Sequence, residues 1–289
     1  MRNVTIFLLF TLVCLTWGTT WLAMRVAVET IPPIFATGMR FIFASPFLIS
    51  IALLTKTPLV FPEKQRIFQG VVCIFYFAIP FTLMIYGETY VSSGLASVIF
   101  STMPVAVLIA SIFFLHEKPK LLQILGLLIA LISLSGIAKS NAGSQWQGIV
   151  ALVAAVLIHA VIYTQSKKRC CTVSVLTFNA LPCFFAGLIL TAAGYFLEHP
   201  QVSTFSLPSA LSTLYLGVIG GVFGILCYFL LQKKSGAFQA SLVFLVFPII
   251  AISLENYIYG YAISLLSQLL TLPLAIGILL ILVSQRVRR

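Results

Sequence analysis

Ala96-Ser97-Val98-Ile99-Phe100-Ser101-Thr102-Met103-Pro104 and Ala240-Ser241-Leu242-Val243-Phe244-Leu245-Val246-Phe247-Pro248 share the pattern A-S-x-x-F-x-x-x-P, 144 positions apart. Each copy lies inside a long apolar run. A bilayer core is roughly 30 Å thick and a helix rises about 1.5 Å per residue, so a spanning helix needs about 20 mainly apolar residues. Ten runs meet that length: 4–23, 32–55, 67–87, 90–115, 120–138, 146–165, 173–197, 209–231, 237–256 and 261–284. The two motif copies occupy the fourth and the ninth. Five spans per half is an odd number, so the second copy must enter the membrane inverted relative to the first. The expected fold is an all-α integral membrane protein of ten transmembrane helices, arranged as two inverted five-helix repeats over residues 1–142 and 143–289.

Composition supports a lipid environment. The 289 residues are 61% hydrophobic and 8% charged, too few polar groups to cover a water-facing surface. In lipid the backbone must satisfy its own hydrogen bonds, which leaves helices or closed barrels. Barrel strands alternate apolar and polar residues over about ten positions, unlike these continuous runs. The first run lacks a small-residue cleavage site and reads as an uncleaved span.

The net charge of +11 would suggest a nucleic-acid partner in a soluble chain, but its distribution gives another reason for it. Arg2, Lys56, Lys64, Arg66, Lys118, Lys120, Lys167, Lys168, Arg169, Lys233, Lys234, Arg286, Arg288 and Arg289 fall on one side of the expected topology, and only Arg25 and Lys139 on the other. Cytoplasmic loops retain Lys and Arg, so both termini are expected in the cytoplasm. The bias also agrees with inversion. The loop after span 1 has one cation and its counterpart after span 6 has three, while Lys56, Lys64 and Arg66 after span 2 contrast with Glu198 and His199 after span 7. Inverted repeats commonly hold a transporter's substrate between the halves near the midplane.

Ten spans, a five-plus-five repeat, Trp17-Gly18-Thr19-Thr20-Trp21 in span 1, Pro32-Pro33 opening span 2, Arg40-Phe41 within it and the Pro-centred spans 4 and 9 together resemble the drug/metabolite transporter superfamily. Within it the chain is similar to EamA-type members, and among those to the PagO-like branch. The resemblance implies cytoplasmic (inner) membrane transport, usually export, of metabolites, amino acids or amphipathic compounds. Departures concern the site more than the fold. Members often carry Gly-Glu at the 4–5 and 9–10 junctions, where this chain has His116-Glu117 and Gly260-Tyr261, and Trp-Ala in span 6, where it has His159-Ala160.

Several residues are candidates for substrate contact or gating. Arg40, about eight residues into span 2, is an ionisable group at a costly depth, either an anion contact or gate, or an Arg whose stem reaches the outer interface. Glu88 is its counter-ion or a solvated loop-end carboxylate. His159 is a substrate or proton ligand, or a helix-bonded imidazole. Asn179 and Tyr228 are polar residues of the same two-way kind. Trp17 and Tyr86 are aromatics for an amphipathic cavity or for lipid contact. Pro104 and Pro248 are expected hinges, as in-span prolines each remove a backbone bond. Arg25 and Glu29 have the spacing of an ordinary i,i+4 pair, and Glu255 reads as a fringe carboxylate with proton coupling as its other reading. Gly217, Gly220, Gly221 and Gly224 share one face of span 8, for packing inside the bundle or for a homodimer.

No cofactor or metal is expected. Cys14, Cys73, Cys170, Cys171, Cys183 and Cys227 show no CxxC or metal spacing, and the vicinal pair sits in a loop expected in the reducing cytoplasm. A Walker A motif is absent and the connections are short, the longest near 198–208, so uphill movement would draw on an ion or substrate gradient. The rival reading is an integral-membrane enzyme acting on a lipid or peptide. Membrane phospho-group chemistry usually recruits metal through clustered Asp, and the chain has none; its six acids, Glu29, Glu63, Glu88, Glu117, Glu198 and Glu255, are scattered. A scaffold would need longer exposed loops. The expected partners are thus a small-molecule substrate and membrane lipid.

Overall fold

The computed structural model describes residues 2–140, 146–169, 173–260 and 265–286. Among them there are helices and no strands. In chain order the helices are α1 (Arg2–Ala27), α2 (Pro33–Leu54), α3 (Glu63–Glu88), α4 (Ser93–Leu115), α5 (Leu121–Ser140), α6 (Trp146–Arg169), α7 (Val175–Glu198), α8 (Leu207–Ser235), α9 (Gln239–Tyr259) and α10 (Leu265–Arg286). Eight, all but α5 and α10, are long and apolar enough to cross a membrane among the described residues; the apolar parts described for those two, Leu121–Gly136 and Leu269–Ser284, are shorter. Phe7, Leu54, Phe113, Ile132, Phe196 and Leu272 stand exposed on the outside of the bundle, a surface suited to lipid. The vicinal cysteines and the first four residues of the expected last span lie outside the described residues.

Some helices depart from regularity where proline or glycine weakens the backbone ladder. α3 passes through a π-helical segment, Cys73–Ala78, directly before Pro80. α8 has one at Leu216–Phe223, which contains three of its four glycines. Such wide turns recur at functional sites because they free backbone groups and re-aim side chains. α4 breaks at Ser101 and Thr102, whose hydroxyls donate back to the carbonyls of Val98 (2.7 Å) and Ile99 (2.6 Å). Pro104 thus opens the second part of α4, whereas Pro248 lies within the unbroken stretch Val243–Tyr259. The two proline positions that match in sequence sit differently in their helices.

Helices pack mainly in pairs: α2 along α7, α5 along α10, α3 against α6, α1 against α8, α4 against both α6 and α9, and α9 against α1. Small residues permit the approach. A Cβ on Gly126 would stand 2.6 Å from the Gly277 carbonyl oxygen, and one on Gly277 would stand 2.7 Å from that of Gly126, so α5 and α10 touch backbone to backbone. The glycine face of α8 is filled by this chain's own α1 and α2, with Gly217 against the Arg40 carbonyl, Gly220 against Thr20 and Gly224 against Trp17. A dimer through these glycines would have to displace both helices.

The junctions after α4 and α9 take the same backbone form. His116 (φ 51°) and Gly260 (φ 65°) are both left-handed caps, and their amides close onto Ser111 and Asn256. Glycine adopts this conformation freely, and a side chain there costs roughly 1–2 kcal/mol. Because the His116 side chain is exposed, His116→Gly should stabilise the protein by about 1 kcal/mol, read as a raised thermal midpoint in detergent. A lowered midpoint would mean that the imidazole holds a contact of its own.

Candidate functional site

Arg40 enters the bundle two turns along α2. Its side chain is 6% exposed, and its guanidinium carbon lies 4.9 Å from the Phe81 ring centroid and 5.7 Å from that of Phe41. Nε and Nη1 have no hydrogen-bond partner. A cation–π contact is worth about 2 kcal/mol when desolvated, less than the cost of burying an unpaired charge. Arg40 is therefore a buried donor set short of an acceptor.

His159 packs against the same ring. It is 3% exposed and meets Phe81 edge-on at 5.2 Å, Tyr76 at 4.9 Å and Phe100 at 5.8 Å, with no partner for Nδ1. Tyr76 belongs to the π-helical segment of α3, so that wide turn helps wall in the imidazole. From Phe100 the rings continue in single file to Trp21 (5.4 Å), Phe247 (6.2 Å), Phe244 (5.8 Å), Trp17 (6.1 Å) and Tyr228 (4.8 Å). Arg40, His159, Trp17 and Tyr228 thus belong to one aromatic array that crosses α2, α3, α6, α4, α1, α9 and α8.

The other candidates lie elsewhere. Asn179 is buried in α7, where Nδ2 donates to the carbonyl of Val175 in its own helix at 2.7 Å. Tyr86 is exposed and its hydroxyl donates to that of Tyr90 at 3.0 Å. Glu88 is not the counter-ion of Arg40. It closes α3 at one end of the bundle, 3% exposed, and neither carboxyl oxygen has a hydrogen-bond partner.

That end holds a second constellation. Glu255, 1% exposed, accepts from the backbone amides of Ser93 (3.0 Å) and Gly94 (2.8 Å), the start of α4. Its Oε1 is 3.6 Å from Arg25 Nη1. The sequence spacing pointed to an Arg25–Glu29 pair, and the structure corrects it: Arg25 pairs with Glu255 and lies over the Tyr259 ring, whose hydroxyl donates to Glu29 at 3.0 Å. The reason is that burial favours a partner that also binds a helix N-terminus, where free amides and the helix dipole stabilise a carboxylate. Glu198 does the same for α2, accepting from Ile34 (2.9 Å) and Phe35 (2.8 Å). Pro32-Pro33 offers α2 no capping oxygen and acids are scarce, so a distant Glu had to serve.

An all-helical chain with this many long apolar helices and buried ionisable groups facing its interior is a multi-pass membrane protein. It belongs to the EamA-like transporter family, whose profile matches it twice, over residues 4–139 and 146–283. The chain is 69% identical to Protein PagO of Salmonella typhimurium across 99% of its own length and 95% of that protein's. It is 52% identical to an uncharacterized transporter of Buchnera aphidicola subsp. Schizaphis graminum, covering 98% of this chain and 96% of the relative. A solved crystal structure of a protein with 18% identity shares the fold, with a TM-score of 0.67 over 99% of each chain.

Proposed function

We propose that the chain is a secondary transporter that moves a small organic solute by alternating access, and that Arg40 and His159 contact that solute at the centre of the molecule. The observation that carries this reading is the buried Arg40 guanidinium, short of acceptors, with the buried His159 imidazole beside the same Phe81 ring, set in a file of aromatic rings between helices of the two halves. Rings suit an apolar or amphipathic body, and Arg40 suits an anionic group. Export of a metabolite, amino acid or amphipathic compound is the direction and class we assign.

Ten spans in two inverted repeats, residues 1–142 and 143–289, form the framework of the proposal. Supporting it, the main helix pairings are kept when each helix is exchanged for the one five places along: α3 against α6 becomes α8 against α1, and α4 against α6 becomes α9 against α1. The π-helical segments fall in α3 and α8, which such an exchange relates. The distance from His116 to Gly260 is 144 positions, the same as between the two proline motifs. The cation bias supports a topology with both termini in the cytoplasm and the Glu88 end outside. Helical spans, as opposed to barrel strands, favour the inner membrane of a bacterial envelope.

The test is flux. Protein reconstituted in liposomes should show saturable efflux or exchange of some member of a broad metabolite panel, without ATP. Correctly folded protein that moves nothing in such a panel, or that turns over a lipid or peptide instead, sinks the reading.

A further inference from the structure

We propose that Glu88 is a proton-binding site that couples the outer closure of the molecule to protons; this rests on the transporter reading. The Glu88 carboxyl is buried, and neither oxygen receives a hydrogen bond. An ionised carboxylate in that setting lacks water and donors alike, a cost of several kcal/mol, and a proton removes it.

The neighbours deepen the need for one. Glu88 lies within electrostatic reach of Glu255 of α9 and Arg25 of α1. Arg25 is already engaged with Glu255, and Glu255 also holds the first amides of α4. Glu29 is taken up by Tyr259. Beside the preceding Gly87, α6 brings Gly148 and Leu152, neither of them charged, and the only ionisable residue of α2, Arg40, is seated on Phe81. Two carboxyl groups thus lie in the field of one cation, and only Glu255 is paired with it. A metal cation does not fit this place, since it would need about six oxygens and would face the Arg25 guanidinium.

The coupling follows from the competition for Arg25. With Glu88 protonated, Arg25 stays on Glu255, and Glu255 stays on Ser93 and Gly94, so α9 is fastened to the start of α4. When the proton leaves to the water at this end, the Glu88 carboxylate draws Arg25 toward itself and the fastening loosens. Opening admits water to the ionised carboxylate, and closing again requires a proton back. Each cycle therefore takes up and releases one proton on the outer side. Acid pH holds this end shut and alkaline pH favours opening.

Two readouts without a solute test the proposal on the full-length protein in lipid. Infrared spectra at neutral pH should contain the stretching band of an un-ionised buried carboxyl, lost in Glu88→Gln and kept in Glu29→Gln. Spin labels at Tyr90→Cys and Tyr257→Cys should separate as pH rises in the wild type and stay close in Glu88→Gln. A wild-type spectrum with no such band overturns the proposal whether or not the variants fold. So does a pH-driven separation that persists in Glu88→Gln, or one that follows sodium at fixed pH. Absence of flux for every solute, with band and pH response intact, would count against the transporter reading alone.

Discussion

Arg40→Ala lowers the apparent affinity or flux of the transported solute about ten- to a hundredfold and leaves the bundle folded. Hydrogen bonds to a charged group contribute about 1.5–3 kcal/mol, and each 1.4 kcal/mol is about a factor of ten. The fold should survive because Arg40 has no hydrogen-bonded partner at Nε or Nη1 to leave stranded, and its loss removes an expensive buried charge along with the contacts to Phe81 and Phe41. Arg40→Lys keeps the charge but not the planar fork, so it should retain only part of the activity. The measurement is initial flux against solute concentration in liposomes, with monodispersity as the folding control. Unchanged flux in Arg40→Ala would remove Arg40 from the site.

Gly277→Leu should prevent stable assembly. The new Cβ would stand 2.7 Å from the Gly126 carbonyl oxygen and 2.9 Å from the Ala130 amide nitrogen. Both obstacles are backbone, so no side-chain rotation relieves them and α10 must leave α5. Overpacking typically costs about 1–3 kcal/mol, and this pair has no small partner left to yield, so the upper end or more is expected. Loss of the monodisperse peak in detergent reads the outcome. Gly70→Ala is the control, since nothing lies within 4 Å of a Cβ there. A Gly277→Leu protein with wild-type melting would show that the α5–α10 contact is dispensable.

The environment was legible in the chain because long apolar runs and loop cations are local properties. The depth of Arg40 and His159 was legible too, since an ionisable residue in mid-run has few places to go. Which aromatic rings accompany them was not. In a soluble helix the apolar stripe marks the buried face, but here lipid-facing and interior faces are both apolar, so Phe81, Phe100 and Phe247 looked like any of the 24 phenylalanines. The Arg25–Glu255 and Glu198–α2 contacts were hidden for a different reason. Spacing reveals partners within a helix, and these partners are far apart in sequence and meet only after the bundle packs.

The Glu198 contact has a consequence for how the chain is built. Pro32 and Pro33 leave the first amides of α2 without a local acceptor, and the acceptor is 164 positions further on. At about 5–20 residues per second that separation is roughly ten to thirty seconds of synthesis. Through that interval a newly inserted α2 relies on water and lipid headgroups at its exposed tip. The later half of the chain supplies the finishing piece of the earlier one, so the order of the ribosome and the order of completion differ.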